Sequence, residues 1–62
     1  MADTRIISKV VKMLKQEGGT SAYDIQQVFS LSQYDVVDII LQIQQHYIVR
    51  KTGKILEIIA KK

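Results

Sequence analysis

Thr20-Ser21-Ala22-Tyr23-Asp24 and, eleven residues further on, Ser32-Gln33-Tyr34-Asp35 carry the same device twice. In each, a Ser hydroxyl is placed to accept from the amide three residues later, while the Asp carboxylate reaches back toward the Ser amide. Each therefore opens a helix. The first predicts a short helix from about Ala22 to Phe29 that buries Ile25, Val28 and Phe29. The second predicts a helix from Gln33 to about Gln45, ending at His46, whose Val36, Ile40 and Ile43 share the face that packs on the other helices. Only Ser30 and Leu31 are left as the turn, and a tight turn between two capped helices is a helix-turn-helix signature.

Working outward from this pair, Ile6, Ile7, Val10, Val11 and Leu14 recur at helical spacing, with Arg5, Lys9, Lys12 and Gln16 on the opposite face. This predicts an amphipathic helix from Thr4 to Glu17, capped by Asp3 or Thr4 and ended by Gly18 in the left-handed region. Beyond His46, Tyr47-Ile48-Val49-Arg50 and Ile55-Leu56-Glu57-Ile58-Ile59 are two β-rich runs around Lys51-Thr52-Gly53-Lys54, which predicts a hairpin. Thr20 to Ala22 can add a short third strand. The reading is one α+β domain spanning residues 1–62.

With 62 residues, 47% apolar, the chain buries only about 60% of the surface it exposes when unfolded, so added stability is expected from tight packing or a second copy. The absence of Cys excludes disulfides, thiolate metal sites and a Cys nucleophile, and fits a cytoplasmic setting. No apolar run approaches the roughly 20 residues of a membrane span. Asp3, Arg5 and Lys9 interrupt any signal-peptide core. No Ser has a His and acid constellation, and Gly18-Gly19 is not followed by the Lys of a phosphate loop, so neither an enzyme nor a cofactor is expected. His46, the single histidine, suits the carbonyl-rich end of its helix better than a metal or acid-base role.

Leu31-Ser32, then Val36, Ile40, Ile43, Ile48, Val49, Arg50 and Lys51, resemble the pattern of the winged helix-turn-helix superfamily. There a Leu-Ser pair opens the recognition helix, three apolar residues hold it on the core, and an apolar pair followed by cations leads into the wing. The likeness covers Thr4 to Ile59 without a gap; Tyr47 stands where many members have Gly. It implies a three-helix winged helix-turn-helix with a C-terminal β-hairpin wing, of the type found in small archaeal, bacterial or viral transcription regulators.

If the resemblance carries function, Gln33, Tyr34, Val37 and Asp38 face the major groove of double-stranded DNA. Gln suits adenine, Val a thymine methyl and Asp a cytosine amino group. Arg50, Lys51 and Lys54 then grip phosphates at the wing. The bland readings are a solvated helix face and an edge hairpin kept soluble by its cations. Surplus apolar residues, Val37 and Leu41 on the third helix and Ile55 and Ile59 on the last strand, point to a homodimer or to docking of another protein. The net charge of +3 hides a division: residues 1–16 carry +3, residues 17–46 carry −4 and residues 47–62 carry +4. The proposed reading helix is thus acidic between two basic flanks.

Overall fold

The computed structural model describes residues 4–62. Asp3, one of the two candidate caps of the first helix, lies outside the described residues. Three helices and three strands follow in the order α1 (Thr4–Lys15), β1 (Thr20–Ser21), α2 (Ala22–Phe29), α3 (Gln33–Gln44), β2 (Tyr47–Thr52) and β3 (Ile55–Lys61). The strands form one antiparallel sheet in the order β1-β3-β2. This is a small α+β fold.

The Ser hydroxyl half of each capping box forms, and the reciprocal bond from the Ser amide to the Asp carboxylate does not. The Asp24 and Asp35 amides each donate to the preceding Ser hydroxyl, Ser21 and Ser32, at 3.1 Å. The turn between α2 and α3 is held by a Schellman-type closure, in which the Leu31 amide donates to the Gln26 carbonyl at 3.0 Å. That closure needs a left-handed residue, and Ser30 supplies it at φ 52° and ψ 46°. Helix α1 stops at Lys15, two residues short of the sequence expectation. Gly18 (φ +87°) and Gly19 (φ +66°) turn the chain back, and the Gly19 amide closes onto the Gln16 carbonyl at 2.9 Å. Gly19 has a second role. A Cβ there would stand 2.3 Å from the Leu56 carbonyl oxygen, so the missing side chain is what lets the turn lie against β3.

The core is drawn from all three helices: Val10 and Leu14 of α1, Ile25 of α2, and Val36, Ile39 and Ile43 of α3. Leu56, Ile58, Val49 and Tyr47 cover it from the sheet. Two expectations are corrected. Ile39 is fully buried and takes the central place given to Ile40, which is only half-buried. The α3 stripe therefore runs 36, 39, 43 with 40 at its margin, the spacing of a helix viewed along its buried edge. Val28 is 62% exposed: near the end of an eight-residue helix held by Ile25 and Phe29, it turns away from the core.

The hairpin is longer and its turn tighter than the sequence reading. The strands extend to Thr52 and Lys61, which leaves Gly53-Lys54 as a two-residue loop. Gly53 has φ +62° and Lys54 is not among the positive-φ residues, the pattern of a type II′ turn. Near the open end, Val49 pairs with Ile58 but Ile48 pairs with Ala60, so Ile59 is an extra residue forming a β-bulge.

Candidate functional site

On α3 the helical period turns the residues between the buried ones outward. Gln33, Tyr34, Val37, Asp38 and Leu41 are all exposed, Tyr34 most of all at 84%. Asp35 is half-buried in the first turn of α3, where a carboxylate suits the helix dipole, and its amide donates to the Ser32 hydroxyl. Asp38 has no such local role.

The hairpin separates the three cations that lie close in sequence. Arg50 faces Glu57 across the two strands, and its guanidinium forms an ion pair with that carboxylate. The neighbouring Lys51, pairing with Leu56, turns to the other face of the sheet, the side on which Leu56 and Val49 meet the helices. Lys54 sits in the turn. Among the described residues neither Lys51 nor Lys54 has a carboxylate within ion-pair distance.

Two adjoining clefts meet at Lys51. One, of about 280 Å³, lies between α3 and the hairpin, with Val37, Leu41 and Gln44 on one wall and Val49, Lys51 and Leu56 on the other. The other, of about 550 Å³, lies between the start of α2 and the hairpin tip, bounded by Ser21, Ala22 and Tyr23 and by Lys51, Gly53 and Lys54. The structure thus brings Val37, Leu41, Lys51 and Lys54 onto one continuous surface. It adds Tyr23, 67% exposed, which the sequence reading passed over because it belongs to a capping motif. Arg50 lies on the other face of the sheet, paired with Glu57.

The residues grouped for self-association fall on two surfaces. Val37 and Leu41 flank α3, whereas Ile55 shares the Arg50 face of the hairpin and Ile59 is the half-exposed bulge residue. Ile48, 44% exposed, belongs with the second group. The Arg50–Glu57 pair was open to sequence reasoning: a two-residue loop at Gly53-Lys54 puts residues 50 and 57 directly opposite. The four-residue turn inferred instead obscured it.

Among the described residues no group of His, Asp or Glu is placed to hold a metal ion, and no helix is long and apolar enough to cross a membrane. Comparison with protein-family models, with curated proteins and with solved structures finds no match to this chain.

Proposed function

We propose that this chain is a winged-helix protein that binds double-stranded DNA as a small transcriptional regulator, acting as a homodimer. In this reading α2 and α3 form the helix-turn-helix and the β2–β3 hairpin is the wing. The observation that carries it is the surface on which Lys51 and Lys54, free of carboxylate partners among the described residues, adjoin the exposed flank of α3 across two clefts. A duplex presents about one negative charge per 1.7 Å, so unneutralised cations on a projecting turn are suited to its phosphates. Gln33, Tyr34 and Val37 stand on the outer side of α3, where a major-groove reader needs them. Asp38 limits base reading to positions that offer a donor, such as a cytosine amino group.

Titration of random-sequence duplex at several salt concentrations tests the reading. Converting Lys51 and Lys54 together to Ala lowers affinity for every sequence and reduces the salt slope by about 2. No duplex binding by the unmodified chain in low salt overturns it. One observation favours a second reading, a protein-docking module: the cleft beside α3 is walled largely by Val36, Val37, Ile40 and Leu41. A docking module loses its partner when Leu41 becomes Lys and is indifferent to the two lysines, the reverse of the DNA prediction.

A further inference from the structure

At the end of the hairpin away from the turn lies a third cleft, of about 500 Å³, formed where α1 crosses the start of β2 and the end of β3. Ile7 and Val11 make its floor, and Lys12, Lys15 and Lys61 stand around it. Among the described residues no Asp or Glu lines it. The Lys15 ammonium is held over the Tyr47 ring, 5.1 Å from its centroid, an arrangement that fixes the cation without neutralising it. Lys61 reaches this face because of the bulge. The extra residue Ile59 shifts the strand so that Lys61 pairs with Tyr47, and paired residues project from the same side of a sheet.

Of the described carboxylates, Asp24 lies on α2, Asp35 and Asp38 on α3, Glu57 against Arg50, and Glu17 in the turn after α1, outside the cleft lining. The two basic clusters therefore occupy opposite ends of one hairpin. From the Tyr47–Lys61 pair to the Thr52–Ile55 pair is about 17 Å at the usual strand rise.

We infer that this cleft is a second binding site for the phosphate backbone of duplex DNA, so that one chain holds two duplexes at once. The inference rests on the proposed DNA reading for its first duplex, and on the charge of the cleft for its second. Two basic ends of the hairpin then face two polyanions.

The test uses the full chain with two double variants, Lys12→Ala with Lys61→Ala, and Lys51→Ala with Lys54→Ala, all at exposed positions remote from the core. Single-duplex affinity is measured by fluorescence anisotropy. Bridging is measured as retention of a labelled duplex on beads carrying a second duplex. The expected result is that the unmodified chain bridges, that K12A/K61A binds a single duplex within about threefold of it but retains at least tenfold less of the second duplex, and that K51A/K54A keeps residual single-duplex binding without bridging. Undiminished bridging by K12A/K61A overturns the inference, since a dimer with one site per chain then suffices. A large loss of single-duplex affinity in K12A/K61A without bridging by the unmodified chain also overturns it, since both ends then grip one duplex. So does lysine-dependent binding of phosphatidylserine vesicles with no effect of K12A/K61A on duplex binding. If K51A/K54A binds like the unmodified chain while K12A/K61A binds nothing, the proposed role of the hairpin tip fails and the two-duplex inference falls with it, the cleft at the open end being left as the single site.

Discussion

Ser30 and Gly19 hold similar left-handed backbone angles for different reasons, and their substitutions should move stability in opposite directions. At Ser30 the Cβ is tolerated at a cost, because an L-residue in this region loses roughly 1 kcal/mol relative to glycine. Ser30→Gly removes that cost and in part offsets it through greater freedom of the unfolded chain, so a gain of about 0.5 kcal/mol is expected. At Gly19 both the φ of +66° and the Leu56 carbonyl oxygen, which occupies the space a Cβ would need, stand against any side chain. Gly19→Ala must open the turn or separate β1 from β3, and a loss of about 2 kcal/mol or more is expected. Urea unfolding midpoints of the two variants check the opposed signs; equal shifts would show that the turns are not set by backbone conformation.

At the level of elements, the hairpin is where electrostatics and geometry meet. Glu57 engages Arg50 on the face of the sheet away from Lys51, so only a duplex that wraps the hairpin onto both faces would compete with that carboxylate for the guanidinium. With such wrapping, Glu57→Gln should raise duplex affinity severalfold and steepen the salt slope by about 1, as one further cation becomes available to phosphate. The pair is more than half exposed on its Arg side, so folding stability should change by less than about 1 kcal/mol. Unchanged affinity in a salt titration would leave Arg50 outside the interface. The Ser hydroxyl caps, the limits of α2 and the strand identities were legible in the sequence because each depends on residues within four or so positions. The end of α1 and the length of the hairpin turn were not, nor were three further features. The burial of Ile39 over Ile40 depends on how α3 is rotated against α1 and the sheet, which no single helix encodes. Val28 turns outward for the same reason. The bulge at Ile59 breaks the alternation of β3, and strict alternation would have put Ala60 on the core side and Lys61 outside. Of the candidate site, the exposure of α3 residues followed from the helical period, whereas the division of Arg50 from Lys51 required the register.

For the whole molecule, the question is whether a chain of 62 residues, with six buried apolar side chains among those described, stands alone. Val37 and Leu41 on one side and Ile48, Ile55 and Ile59 on another stay at least 39% exposed, apolar surface that a homodimer would cover. The proposed homodimer predicts that Tm rises with protein concentration, because association stabilises only the folded state. Scanning calorimetry over a hundredfold range of concentration checks it, and a constant Tm would argue for a monomer. Comparing Leu41→Lys with Ile59→Lys then tells which surface is used, since only the variant at the interface removes the dependence.

The strand order also governs time. β3 is last in sequence yet central in the sheet, so β1 has no partner until the hairpin at the far end of the chain has formed and been carried back. The helices and the hairpin are made from near neighbours in sequence and can form quickly, on the order of microseconds. The pairing of Thr20 with Leu56 and Ser21 with Ile55 closes a loop that contains α2, α3 and β2, and such closure is the slow kind. The glycine turn packed on the Leu56 carbonyl is thus expected to be among the last contacts made on folding. Substitutions there should speed unfolding far more than they slow folding.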